Sequence, residues 1–427
     1  MKVTAVDTAV VEANYDWTYI RVRTDEGHTG LGESFLAPGL TGIIHELGRL
    51  LVGEDPRDLD RLWNKMRWGS SGAGSMGGIV YNAISGIEAA LLDVVGQHYR
   101  MPIYQLLGGR FRERVRVYAD CHAGEALESL DPLMIPRHPA WLPADQQETQ
   151  ALSGEINRPV HGRAYGEPDA AEIFTPQMYA DRAKQVVDDL GFTAIKFDLD
   201  VPNPHQLDTH SGTLTHAEIR FMEGLVAAVR EAVGDTIDIA FDCHWRYNVT
   251  DAKRLASAVE PYGLMWLEDP VPPENTEAMR RVTASTSTPI ASGENYYLRY
   301  GFRDVVEREG LDIVAPDLQK VGGLMEGRRI ADLADTHYIP VAPHCIASPI
   351  GTMAAAHLAA AIPNFLALEW HGMSVPFWED IAAGHGGPVI DQGFIRVPDR
   401  PGLGITLNEE VARRYAKPGE PFFGETP

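Results

Sequence analysis

Leu264-Met265-Trp266-Leu267-Glu268-Asp269-Pro270 is a short apolar run that ends in carboxylates. Two sister runs flank it, Ile237-Asp238-Ile239-Ala240-Phe241-Asp242 before and Pro289-Ile290-Ala291-Ser292-Gly293-Glu294 after. Asp242, Glu268 and Glu294 thus recur every 26 residues (268 − 242 and 294 − 268). Three further runs end at Asp317, His344 and Glu369, at intervals of 23, 27 and 25 (317 − 294, 344 − 317, 369 − 344). A buried strand with a helix and two loops takes about 25 to 35 residues. The stretch is a series of βα units, each with a polar residue at the C-terminal end of its strand. In a closed barrel those ends meet at one mouth, where the active sites of such barrels lie.

Three carboxylates at one mouth repel, and some of them would have to take up protons. A hard divalent cation resolves the conflict, and an all-oxygen set suits Mg2+. A single acid at the end of a βα loop is more often a helix cap. A constant interval, continued by Asp317, His344 and Glu369, is hard to explain by capping.

These residues resemble the enolase superfamily, in its mandelate racemase-like branch. The matching motifs are Phe241-Asp242-Cys243-His244, Trp266-Leu267-Glu268-Asp269-Pro270, Ser292-Gly293-Glu294-Asn295, Pro316-Asp317-Leu318-Gln319-Lys320-Val321-Gly322-Gly323, Pro343-His344-Cys345 and Leu368-Glu369-Trp370. The resemblance runs from about Met1 to past Glu369. It implies an α/β fold: a modified TIM barrel, (β/α)7β, under an N-terminal α+β capping domain. Residues 1–113 are expected to form the cap, completed by the tail from about 390 to 427. Residues 114–389 are expected to form the barrel, with a long loop insertion at about 121–175. One Mg2+ per subunit is expected on Asp242, Glu268 and Glu294. The resemblance also places Lys196 and Glu369 on the substrate carboxylate, Glu369 as a protonated donor. It pairs His344, as base, with Asp317; a carboxylate on one ring nitrogen orients the imidazole and stabilises its protonated form. Lys320, three residues beyond Asp317, is a competing partner for that acid.

The rest of the chain fits a two-domain protein. With 427 residues, 44% of them hydrophobic, it can bury a large core. The formal charge of −23, from acids spread along the chain, argues against nucleic acid and anionic membranes as partners. It reads as a solvated surface, of a kind that suits a salt-tolerant organism. Cys121, Cys243 and Cys345 form no CxxC pair, so neither a disulfide framework nor a zinc site is expected. No signal pattern opens the chain and no apolar run reaches membrane-spanning length, so a cytoplasmic protein is expected. A homo-oligomer is expected as well.

Tyr19-Ile20-Arg21-Val22-Arg23-Thr24 alternates, and Asp25-Glu26-Gly27-His28 is turn chemistry, which predicts an antiparallel hairpin or meander. Helices are predicted over about 40–51, 59–68 and 80–99. Gly72-Ala73-Gly74-Ser75-Met76-Gly77 matches GxGxxG, but a helical pattern rather than a strand precedes it. It reads as a mobile loop between helices, which in similar proteins folds over the substrate. Arg114 to Ala119 reads as the first barrel strand. The untidy stretch at 121–175 is a lid or an oligomer contact; His122, His138 and His161 in or near it read as surface residues. A helix is predicted from Met178 to Leu190, stopped by Gly191. In the next strand, Thr193 to Asp198, period two puts Lys196 and Asp198 on one face, and a lysine there implies a polar barrel mouth. The segment from Val397 to Gly404 and the tail are expected to return to the N-terminal domain, as in similar proteins.

One departure narrows the chemistry. Racemases of this branch carry Lys-x-Lys on the second strand, and the second lysine is a base on the opposite face. Here that position is Asp198. Dehydration needs one base and an acid for the departing hydroxyl. His344 can do both in turn if elimination is syn. His244, on the same face as Asp242, is a second acid candidate if it is anti. The Asp-x-His and Lys-x-Asp patterns resemble the sugar-acid dehydratases of the family. The expectation is therefore Mg-dependent dehydration of an aldonate, a small-molecule sugar acid, to a 2-keto-3-deoxy acid through an enediolate. Lys196, Asp198, Arg246 and His371 are expected to bind the substrate, and a mouth so lined suits a polyol chain. A racemase or epimerase, or a non-catalytic sugar-acid binder, are the alternatives.

Overall fold

The structure, a computed structural model, describes every residue except 75, 122–128, 131, 133–135, 144–173, 202, 208–210 and 425–427. The chain opens with three antiparallel strands, β1 (Val3–Glu12), β2 (Asp16–Thr24) and β3 (Thr29–Ser34), in that order. Three helices pack on them: α1 (Leu40–Leu51), α2 (Leu59–Gly69) and α3 (Ile79–Tyr99). Helix α3 is long and apolar enough to cross a membrane, but 94% of its apolar window is buried inside the fold. That length escapes a run-by-run reading because Asn82, Glu88 and Asp93 interrupt it; all three are buried too. The tail lies antiparallel on the free edge of β1, where Phe423 N donates to Thr8 O and Lys417 N to Val10 O.

Seven parallel strands follow: β4 (Arg114–Asp120), β5 (Ala194–Asp198), β6 (Asp238–Asp242), β7 (Trp266–Glu268), β8 (Ile290–Ser292), β9 (Ile313–Val314) and β10 (Leu368–Trp370). They are ordered β9-β8-β7-β6-β5-β4-β10. Val341 bridges in parallel to Val314 on one side and Phe365 on the other, and so closes the ring as its eighth stave. Among the described residues, seven helices join the staves: α4 (Pro176–Asp188), α5 (His216–Val233), α6 (Val249–Val259), α7 (Thr276–Thr283), α8 (Leu298–Glu307), α9 (Leu324–Asp335) and α10 (Pro349–Ala361). This is the (β/α)7β barrel. Helix α4 starts two residues earlier than its apolar spacing suggests, because Thr175 caps Met178 N and Pro176 takes the first turn.

Strand periodicity builds the mouth. Tyr118, Ala194, Ala240, Trp266 and Ala367 form one buried layer inside the barrel. The residue two further along each strand points the same way. Those residues are Asp120, Lys196, Asp242, Glu268 and Glu369, all under 9% exposed. The alternate residues, Phe197, Phe241 and Leu267, face outward into the apolar layer shared with the helices. A hydrophobic floor thus carries a layer of charge directly above it.

Of the stretch at 121–175, His138, Pro139, Trp141 and a few neighbours are described, while His122 and His161 lie outside the described residues. The described part docks on the cap: Trp141 Nε1 donates to Glu12 O at 2.7 Å, and Arg137 pairs with Asp16 at 2.5 Å and with Glu12.

Candidate active site

Lys196 is the hub of the charged layer. Its Nζ lies 2.7 Å from Glu369, 3.2 Å from Asp242, 3.3 Å from Glu268 and 3.6 Å from Asp120. Burial opposes its charge, but Glu268, Glu369 and Asp120 outweigh it and raise the ammonium well above the ordinary lysine value. One ammonium cannot satisfy all these acids. Burial raises Glu268 to about 8, with Lys196 opposing and Asp242, Glu369 and Glu294 adding repulsion. Glu369 has the shortest contact to Lys196. There burial is outweighed by Lys196, then His344, and the carboxyl is held at about 2. Glu369 pairs with Lys196 Nζ through one oxygen and accepts Cys345 N, at 2.7 Å, on the other.

On one side of this layer stands His344. Its Nδ1 is 2.7 Å from Asp317 Oδ2, and its Nε2 is 2.8 Å from Glu294 and 3.6 Å from Glu369. Asp317 also accepts Gln319 N at 2.8 Å, which fixes the carboxylate plane. Burial opposes the imidazolium, but Glu369, Glu294 and Asp317 raise His344 well above its ordinary value. Lys320 does not compete for Asp317. Its Nζ donates to Asn295 Oδ1 at 2.9 Å and lies 4.5 Å over the Phe35 ring. Asn295 in turn donates to Glu294 at 3.0 Å.

On the other side stands His244. Its Nδ1 meets Asp200 at 2.8 Å, and its Nε2 is 3.9 Å from Asp242 Oδ2. The backbone turns through positive φ at His244 (41°) and Trp245 (52°), which aims the ring back over the mouth. Arg246 Nε is 3.5 Å from the second Asp200 oxygen. Asp198, Asp200 and His244 bring one possible ligand atom each within 4.8 Å of one another. Burial raises Asp198 to about 7, with His244 opposing.

The cap closes the mouth from above. Asn14, between β1 and β2, donates to His371 O at 2.6 Å and meets His371 Nδ1 at 3.1 Å. His371 Nε2 is 3.7 Å from Asp120, and Tyr15 packs edge-on against the His371 ring at 5.2 Å. Phe35, just after β3, lies 6.2 Å from the His344 ring. The structure thus brings every expected site residue to one mouth. Asp120, Asp200, Asn14, Tyr15, Phe35 and Asn295 join them. Asp120 was open to the same period-two reading that singled out Lys196; the cap residues carry no such signal.

The donor set fits a hard divalent cation. Asp242, Glu268 and Glu294 offer only oxygen, and mutual repulsion is part of what raises Glu268. Glu268 Oε1 is buried and accepts no hydrogen bond among the described residues. Glu268 Oε2 takes Trp266 Nε1 at 2.9 Å, which leaves Oε1 as the oxygen free for a ligand. These three residues are not the tightest ligand group in the mouth, because Glu294 is drawn to His344.

Residues 3–108 match the mandelate racemase/muconate lactonizing enzyme N-terminal domain, and residues 178–411 match the enolase C-terminal domain-like family. The chain belongs to the mandelate racemase/muconate lactonizing enzyme family of the enolase superfamily. Membership implies a divalent metal ion. Among its relatives it is similar to a D-xylonate dehydratase of Haloferax volcanii, 44% identical over 424 residues, or 99% of this chain and 91% of that one. A D-galactonate dehydratase of Variovorax paradoxus is 30% identical over 418 residues, 96% and 93% of the two chains. A solved mandelate racemase/muconate lactonizing enzyme-like protein from Rubrobacter xylanophilus superposes with a TM-score of 0.86 at 41% identity, covering 99% of each chain.

Proposed function

We propose that the protein dehydrates D-xylonate, or a sugar acid of the same α,β-dihydroxy pattern, to the 2-keto-3-deoxy acid. The chain is a hydro-lyase of the sugar-acid dehydratase class, by its similarity to dehydratases over nearly its whole length. The observation that carries the mechanism is the His344–Asp317 pair beside the carboxylate layer. With Nδ1 donating to Asp317, Nε2 of His344 is the nitrogen that faces the mouth and takes the α-proton.

Asp242, Glu268 and Glu294 are the residues that would hold one Mg2+. When bound, the ion supplies charge stabilisation to the substrate carboxylate as the α-proton leaves, a contribution of several kcal/mol in rough terms. Lys196 adds a second cation on that carboxylate. Glu369 fixes Lys196 and faces the imidazole. The C3 hydroxyl leaves as water with a proton from His244, whose ring Asp200 orients, and the enol so formed tautomerises to the ketone. Asp198, Arg246 and His371 hold the hydroxylated tail. Racemisation lacks its second lysine, because Asp198 stands there.

The test is incubation with D-xylonate, D-galactonate and a panel of C5 and C6 aldonates, with Mg2+ and a carbonyl reagent in deuterated water. A 2-keto-3-deoxy product is expected. Deuterium at the α-carbon without a ketone would make the protein an epimerase; binding with neither would make it a sugar-acid binder. Size measurement in solution checks the expected homo-oligomer separately.

A further inference from the structure

We propose that Glu33 and Glu88, two buried acids of the N-terminal region, are positioning residues for the His344–Asp317 pair, each clamping the strand-to-helix loop that carries one member. The inference rests on the dehydratase reading only in taking that pair as the base.

Glu33 lies near the end of β3 and is 3% exposed. One of its oxygens accepts Ser348 N at 2.9 Å; the other accepts Ser348 Oγ at 2.5 Å and Gly351 N at 2.8 Å. Ser348 is the N-cap of α10 and stands four residues past His344. Glu88, on α3, is 1% exposed. Its oxygens accept Leu324 N and Met325 N, each at 2.9 Å. Those are the first residues of α9, which follows the loop that carries Asp317.

The first N–H groups of a helix have no partner within it, and a carboxylate is well placed there. Usually the N-cap residue supplies one. At α9 it cannot, because the N-cap is Gly323, at φ 98°. A Cβ on Gly323 would stand 2.5 Å from Glu88 Oε2, so only a bare residue admits the acid. The Asp317 loop is tied further to the same layer. Ser85 Oγ accepts Gly322 N at 2.8 Å, Trp63 donates to Gly322 O at 2.8 Å, and Phe35 N donates to Gln319 O at 3.1 Å. The exits of the two dyad loops are thus set by one rigid body, β3 on α3, rather than by the barrel alone.

Asp93 supplies the control. It sits on the same helix, buried, and accepts Leu31 N at 2.9 Å and Leu403 N at 2.8 Å. It clamps Leu31 of β3 and Leu403 of the C-terminal segment, and neither contact is to a loop that carries a member of the pair.

The experiment compares Glu33→Gln, Glu88→Gln and Asp93→Asn with wild type by amide hydrogen exchange and by steady-state kinetics. Each amide replaces an acceptor oxygen with a donor that faces N–H groups. Glu33→Gln is expected to speed exchange in 343–352, and Glu88→Gln in 316–325. Both are expected to lower kcat about 10- to 100-fold with KM within about twofold, because a misplacement near 1 Å costs that order in rate. Asp93→Asn is expected to do neither. Wild-type exchange in both segments, or an equal kcat loss in Asp93→Asn, overturns the inference. Should Glu33→Gln or Glu88→Gln fail to fold, Ser348→Ala and Ser85→Ala remove one arm of each clamp and are read in the same way. Absence of wild-type turnover on every sugar acid counts against the dehydratase reading alone, since the exchange comparison needs no substrate.

Discussion

Nδ1 of His344 and Oδ2 of Asp317 lie 2.7 Å apart, joining the ends of two successive barrel staves in one buried hydrogen bond. The acid fixes which ring nitrogen carries the proton and which faces the mouth. His344→Asn is expected to lower both dehydration and α-proton exchange on the order of 10²- to 10⁴-fold, the usual worth of a general base. Asp317→Asn is expected to lower both less, since it orients the base without being it. Deuterium exchange into the aldonate, followed by NMR, measures both. Exchange that survives in His344→Asn would place the base elsewhere, with Asp198 and His244 the first candidates.

The metal prediction has a readout apart from turnover. A ligand that binds only the folded state raises stability by RT ln(1 + [L]/Kd), about 2.7 kcal/mol at 100 times Kd. Mg2+ is therefore expected to raise the melting temperature of the wild type, and a chelator to reverse the rise and abolish turnover. Glu268→Gln is expected to keep the fold, lose turnover and lose most of the Mg2+-induced shift. Full activity after exhaustive chelation would remove the metal from the mechanism.

The barrel was legible because its strand ends repeat. Asp242, Glu268 and Glu294 mark the mouth at equal intervals, and period two on the second strand put Lys196 inside it. The eighth stave was less legible. Pro340-Val341-Ala342-Pro343 has a proline at each end and bridges its neighbours at a single residue position, Val341, so it carries the dyad histidine without reading as a strand. Asp200 was missed because it follows β5 in a loop with no motif; only the fold brings it to His244. Asn14 and His371 meet across 357 residues, and no local pattern encodes such a contact. Glu33 and Glu88 read as ordinary acids on a strand and a helix. Their meaning depends on which helix end the barrel brings to them.

Asp93 predicts a pH effect on stability. Burial raises its carboxyl to about 6, against a value near 3.8 in the unfolded chain, with Leu403 N and Leu31 N opposing. Between those two values the folded state holds more protons than the unfolded one, so this group's contribution to stability falls as pH rises through that window. About two units correspond to at most about 3 kcal/mol. Relative to Asp93→Asn, which does not titrate, wild type is expected to lose stability between pH 4 and pH 6.5 on the order of that amount. Parallel denaturation curves for the two proteins at both pH values would sink the assignment.

Gly323→Ala tests the close approach of α3 to α9. The alanine would sit at φ 98° with its Cβ 2.5 Å from the Glu88 carboxylate. Both faults are local, and each costs on the order of 1–3 kcal/mol. A fall in unfolding free energy of that order is expected, measured by urea titration. Gly224→Ala, where a Cβ meets nothing within 4 Å on helix α5, is the control, and is expected to be neutral or slightly stabilising. Equal stability of Gly323→Ala and wild type would mean that α9 and α3 do not approach as closely as this.

The departing hydroxyl separates the two histidines of the mouth. His344 and His244 stand on different staves, each with its own carboxylate, Asp317 and Asp200. A substrate between them can give its α-proton to one and its hydroxyl to the other. Burial opposes charge on His244, but Asp242, Asp200 and Asp198 raise it well above the ordinary value, and Asp200 at 2.8 Å orients its ring. Abstraction by His344 precedes departure of the hydroxyl. His244→Asn is therefore expected to stop dehydration, on the order of 10²- to 10⁴-fold, while sparing α-proton exchange. Asp200→Asn is expected to shift the same ratio in the same direction by less, because it loses only the orientation of the ring. If His244 merely holds the substrate, exchange and dehydration fall together through a higher KM. The deciding number is the ratio of exchange to dehydration at saturating aldonate. A ratio in His244→Asn equal to that of wild type would assign both proton transfers to His344 and make the elimination syn.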